Sequence, residues 1–144
     1  MPYAIALFVS RKPGVSIGEF KDHWENKHIP LLKSIVGKAF PLTHTRRYVA
    51  RVESGAGDRA GVTPASHRRA PSAAPVVLGG DKNEVTWDGF AELVFRDELH
   101  FQQFFALVNE SEAAARIQQD EERFADASNF KVVVIGETIC TRND

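Results

Sequence analysis

"SIGEFKDHWENKHIPLL", residues 16–32, opens on a helix-start signal and carries two histidines, a tryptophan and a proline. Ser16 and Glu19 stand three apart, the spacing at which each side chain satisfies a backbone N–H at the start of a helix. A helix is therefore expected to begin at residue 16 or 17. On a wheel of α-helical period Ile17, Phe20, Trp24 and His28 share one arc, which should face a core, while Lys21, Asp22 and Glu25 fall outside it. His23 and His28, five apart, lie about 140° from one another on that wheel, so they are expected on different faces. Pro30 has no N–H and disfavours helical geometry for Ile29, so the helix should end or kink there, with "PLLKSIVG" forming a further short turn.

Upstream, "YAIALFV" (3–9) is a mostly apolar run of strand length, closed by a Pro13-Gly14 turn. Downstream, "LTHTRRYVARVE" (42–53) is rich in β-branched and aromatic residues and reads as a second strand. Alternation puts His44, Arg46, Tyr48 and Ala50 on one face and Thr45, Arg47 and Val49 on the other. Residues 54–80 are rich in Gly, Ala, Ser and Pro and lack large apolar side chains before Val76, so they are expected to form a long, partly mobile loop, with "VVLGG" as a short edge strand. "WDGFAELVF" (87–95) is a third strand. Asp97 should cap a helix whose Phe101, Phe104, Phe105 and Val108 form a core stripe. Ser111 should cap another, "EAAARIQQDEERFADA", with Ile117 and Phe124 inward and Asp120 and Glu121 on either side of the stripe. "FKVVVIGETIC" closes the chain with a fourth strand.

This order, β-α-β, loop, β-α-α-β, is the ferredoxin-like split βαβ pattern of the α+β class, a four-stranded antiparallel sheet with helices on one face. The other face needs a cover, and a second copy packed sheet to sheet supplies one, so a homodimer is expected.

The 144 residues suit one domain, 1–144. Lys and Arg number 18 against 19 Asp and Glu, so no net field favours nucleic acid or an anionic membrane surface. Cys140 is the single cysteine, which forbids an internal disulfide and fits a reducing, cytoplasmic setting. The seven-residue run at the start is too short for a membrane span and has no basic segment before it, so it is not expected to act as a signal peptide.

"RKPG-(x)4-EF-xx-HW-xxx-H-x-PL" from residue 11, with "AELVF-(x)5-F", "DEERF" and "VVVIGET" later in the chain, resembles the EthD family of dimeric α/β-barrel proteins. "THTRRYVAR", "DEERFAD" and the terminal "VVVIGET" are similar to the small members found in fungal aromatic polyketide clusters. That resemblance implies a cofactor-free lyase, a decarboxylase or dehydratase, acting on an aromatic polyketide of anthrone or anthraquinone type.

Among candidate site residues, His28 on an apolar stripe beside Trp24 is suited to proton transfer, because a neutral imidazole exchanges a proton near pH 7. The bland alternative is a core histidine bonded to backbone freed by Pro30. Histidines five apart do not match the four-residue spacing of a helical zinc motif, so no metal is expected. On the second strand an arginine can fork a substrate carboxylate or phenolate while His44 or Tyr48 donates to a ring ketone. Either His44, Arg46 and Tyr48 act as a set or Arg47 acts without them. A carboxylate from Asp88, Glu92, Asp120 or Glu121 could orient an imidazole. Trp24 and Phe105 are candidate aromatic walls. With catalytic roles assigned to His28, His44, Tyr48 and Asp120 and binding roles to Trp24, Arg46, Arg47, Asp88 and Phe105, decarboxylation of a polyketide acid is the leading reaction. Dehydration or cyclisation, a cofactor-independent anthrone oxygenase and a non-catalytic dimeric binding protein are the alternatives.

Overall fold

β1 (Tyr3–Val9), α1 (Ile17–His23), a π turn (Trp24–His28), α2 (Ile29–Val36), β2 (Thr43–Tyr48), β3 (Gly89–Phe95), α3 (Glu98–Val108), α4 (Ser111–Glu121) and β4 (Lys131–Ile135) follow one another in a computed structural model describing residues 1–51 and 74–143. The strands make one antiparallel sheet in the order β2-β3-β1-β4. This is the α+β, ferredoxin-like arrangement expected from the element order. Register places Leu7 opposite both Ala91 and Val132, and Ile5 opposite Leu93 and Val134. Those residues share the face that the helices cover, because side chains alternate across a strand.

Phe20 and Trp24 supply the helix side of the core at 0% and 2% exposure, and meet Leu93 and Phe95 from the sheet. Each such side chain contributes roughly 1.5–3 kcal/mol by leaving water. The Ser16–Glu19 capping box forms, and Asp97 caps α3 through the His100 N–H. His100 is a true core histidine at 1% exposure: its Nδ1 accepts from the Arg96 N–H and its Nε2 donates to the Ala39 carbonyl.

Several expectations are corrected. The first helix does not end at Pro30 but runs on as α2, with the proline in its first turn. In a continuous α-helix Pro30 would leave the carbonyl four residues back without a donor and crowd it with its ring. The Ile29 N–H instead bonds the Trp24 carbonyl five residues back, a π turn that opens the helix just before the proline. Glu110, not Ser111, caps α4, its carboxylate accepting from the Glu112 and Ala113 N–H groups. α4 stops at Glu121, and Phe124 reaches the core from the turn after it, at 2% exposure. Phe105 leaves the expected stripe and is 53% exposed. "VVLGG" is no strand: the chain there forms an isolated bridge of Arg51 with Pro75 and a bond from the Val76 N–H to the Ala50 carbonyl but no ladder, since Pro75 cannot donate and two glycines follow. Of the expected loop at 54–80, residues 54–73 lie outside the described residues.

Gly89 opens β3 directly beneath the Trp24 ring, and a Cβ there would run into its six-membered ring. Gly89→Ala should therefore cost about 1–3 kcal/mol by forcing the indole out of its place. Urea denaturation of the variant measures this, and an unchanged midpoint would show that Trp24 can move aside freely.

Candidate active site

The π turn overturns the expected separation of the two helical histidines. Closing one turn over five residues brings positions five apart round to the same side. His23 Nε2 lies 3.0 Å from Asp120 Oδ1, and His28 Nδ1 lies 2.9 Å from Asp120 Oδ2. Both rings pack on Phe124, with centroids at 4.7 and 5.2 Å. A carboxylate only accepts hydrogen bonds, so these two ring nitrogens carry the protons. The Nε2 of His28 then holds its lone pair, with no hydrogen bond to any described residue.

His28 lines an open cavity of about 820 Å³, counting the space at its mouth, between the helices and the covered face of the sheet. Its walls are largely apolar: Leu7 and Val132 from the sheet, Trp24, Phe101, Phe104 and Phe105 from the helices, and Phe124 below. Among the described residues, three titratable side chains face this space: His28, His44 and Glu121. Burial pushes the His28 imidazole below its ordinary value, with the Asp120 carboxylate pulling the other way. Burial works to raise the Asp120 carboxyl, but hydrogen bonds from His28 and His23 outweigh it and hold it below the carboxylate range. Burial, then the neighbouring Asp120 charge, lifts Glu121 to about 7. The cavity thus holds an unprotonated imidazole and a carboxyl able to keep its proton near neutrality, the two halves of acid–base chemistry.

β2 forms another wall. His44, Arg46 and Tyr48 stand on the covered face, as one of the two alternatives required, and Arg47 is exposed on the opposite face, away from the cavity. Arg46 does not reach for a ligand. Its Nε and Nη2 fork the Glu25 carboxylate at 2.6 and 3.0 Å, and its Nη1 donates to His44 Nδ1 and to the His44 carbonyl, each at 2.9 Å. The Tyr48 hydroxyl donates to the same Glu25 at 2.5 Å. Burial, reinforced by the Arg46 charge, presses His44 down to about 4, so it is neutral.

Asp88 is not in this site. It precedes β3 at the far end of the sheet, where its carboxylate accepts from the Arg11 N–H at 2.7 Å and pairs with Arg51. There it ties the strand ends together. Glu92 is exposed on the uncovered face. Trp24 and Phe105 do line the cavity. Sequence reasoning offered Glu121 as one of four carboxylates to orient an imidazole, not as a proton donor facing the cavity, and set Glu25 and His23 outside the site. For Glu121 the available signal was its place beside Ile117 and Phe124. For Glu25 and His23 the signal was Pro30, read as a π turn instead of a stop. Among the described residues no three His, Cys, Asp or Glu side chains are grouped to hold a metal ion. No helix among them is long and apolar enough to cross a membrane.

A family model described as the EthD domain matches residues 12–128. Two crystal structures are similar over nearly the whole chain. One is an EthD family protein from Bacillus halodurans C-125, with TM-score 0.52, 15% identity, and 94% of this chain and 99% of that one covered. The other is an EthD-like protein from Ralstonia eutropha JMP134, with TM-score 0.53, 12% identity, and 98% and 95% covered. No curated protein matches the chain.

Proposed function

Because this chain belongs to the EthD domain family, and because its cavity pairs a carboxylate-held imidazole with a protonated carboxyl, we propose that it is a lyase working by proton transfer alone on an aromatic polyketide. The observation that carries this reading is His28, which lines the cavity with its Nδ1 fixed by Asp120 and its Nε2 bonded to no described residue.

Elimination of water from a β-hydroxy ketone fits the groups best. His28 Nε2 takes the proton α to the ketone, and the C–H electrons form the enolate. The enolate then expels the β-hydroxyl, which leaves as water with the Glu121 proton. His28 ends protonated and Glu121 ionised, and a proton passing between them through solvent resets the site. The phenyl-lined walls suit a fused aromatic ring system. Decarboxylation stands second. Removing CO2 from a β-keto acid calls for a cation to seat the carboxylate, and Arg46, the residue suited to that task, is committed to Glu25. No cofactor enters either reaction.

Incubating the purified protein with an aromatic β-hydroxy ketone, and separately with the matching β-keto acid, tests this by mass. Loss of water from the first is expected, and loss of CO2 from the second alone would favour decarboxylation. Oxygen uptake into an anthrone would make the same base that of an oxygenase. Tight binding of every substrate with no change in mass would remove the catalytic reading in favour of a binding protein.

We also propose that the protein works as a homodimer. The uncovered sheet face carries Phe8 opposite Phe90 with Trp87 edge-on to Phe8, beside Ala4, Ala6, Val94 and Val133. An apolar surface of this kind is costly to leave in water. Sedimentation should give twice the chain mass at micromolar concentration, and a folded monomer there would refute it.

A further inference from the structure

The β2 wall carries chemistry that the acid–base pair leaves unused. Arginine has no hydrogen-bond acceptor, so in the 2.9 Å contact between Arg46 Nη1 and His44 Nδ1 the imidazole offers a lone pair. A neutral His44 then carries its proton on Nε2. The same Nη1 also donates to the His44 carbonyl, which fixes the guanidinium beside the ring. Arg46 is itself held in place by the two-point fork to Glu25, and Glu25 by the Tyr48 hydroxyl.

We propose that Glu25, Arg46 and Tyr48 form a positioning set that locks His44 as a neutral Nε2–H donor toward the cavity, where it binds the ketone oxygen and the enolate that replaces it. The inference rests on the acid–base reading above and adds its missing part, the group that stabilises the developing oxyanion. The two imidazoles are set in opposite senses by partners of opposite kind. Asp120 only accepts, so His28 presents a lone pair; Arg46 only donates, so His44 presents a proton. One wall removes a proton from carbon while the other holds the negative charge that results. His44 lines the cavity, and its Nε2 has no hydrogen bond to a described residue. Burial and the Arg46 charge keep the ring neutral, so it donates without competing as an acid.

Nitrogen-15 NMR of histidine-labelled wild-type protein at neutral pH reads the tautomer directly. An unprotonated Nδ1 and a protonated Nε2 are expected for His44, and the reverse for His28. Arg46→Ala should bring an Nδ1–H population into the His44 signals and lower kcat by about ten-fold or more, with KM within about two-fold. Arg46→Lys, which keeps a donor but not the fork, should recover part of both. A protonated Nδ1 at His44 in the wild type overturns the proposal even if Arg46→Ala fails to fold. So does an Arg46→Ala protein with wild-type tautomer and kcat. If no substrate turns over, the spectra still decide the His44 assignment. If His28→Ala abolishes turnover while Arg46→Ala leaves kcat unchanged, the role of His44 falls and the acid–base reading stands.

Discussion

Asp120→Asn should lower turnover by about a thousand-fold or more, the order seen when a carboxylate that fixes a catalytic imidazole becomes an amide. The aspartate accepts from His28 Nδ1 at 2.9 Å and from His23 Nε2 at 3.0 Å. An asparagine can serve one ring with its oxygen but turns an NH2 donor to the other. If that donor meets His28, the imidazole flips its proton to Nε2 and presents N–H to the cavity where a base is needed. His28→Ala removes the base outright and should cost about a hundred-fold or more with the fold intact. His23→Ala, which removes one bond from the carboxylate and nothing from the cavity, should cost less than about ten-fold. Steady-state kinetics with circular dichroism on the three variants checks this, and an Asp120→Asn enzyme within a few-fold of wild type would dismiss the dyad.

Glu121→Gln should lower turnover by about a hundred-fold and remove the alkaline limb of the pH profile. The acid must be protonated to give water its second proton, so wild-type activity should fall as pH rises through about 7. The acid limb comes from His28, which must be unprotonated and titrates below its ordinary value. Stability follows with its own sign. The folded Glu121 carboxyl titrates above its ordinary 4.5, so the favourable term is fully present below that value and is lost as pH rises through about 7. Above pH 7 the variant should be more stable than wild type, on the order of 1–3 kcal/mol. Unfolding titrations at pH 5 and pH 8.5 measure the difference. A variant less stable than wild type at pH 8.5 would mean that Glu121 is ionised without penalty, and the general-acid role would go with it.

Much of the fold could be read from local signals. Ser16 and Glu19 announce the first helix, and period-two alternation places His44, Arg46 and Tyr48 together because an edge strand keeps one face inward. The site was harder because its joining contacts are remote. Asp120 lies 97 residues from His23 and 92 from His28, and no spacing rule reports such a meeting. A wheel of fixed period failed at Trp24–His28, where Pro30 changes the period itself. Arg46 looked like a substrate fork because nothing local reveals that Glu25 fills it. Glu121 stood out from Asp88, Glu92 and Asp120 by no local signal, because its burial depends on α4 lying against the cavity.

The single π turn makes the site depend on chain length as well as on side chains. Trp24–His28 holds one more residue than an α-helical turn allows, and that surplus sets the rotation between His23 and His28. Exchanges at the outward positions Asn26 and Lys27 leave this phase alone, whereas deleting either would return the backbone to ordinary register and carry one imidazole off Asp120. A cut of one residue, with every reactive side chain retained, would then do the damage of removing a catalytic group. Ancestry in this region is therefore better traced through gaps than through substitutions.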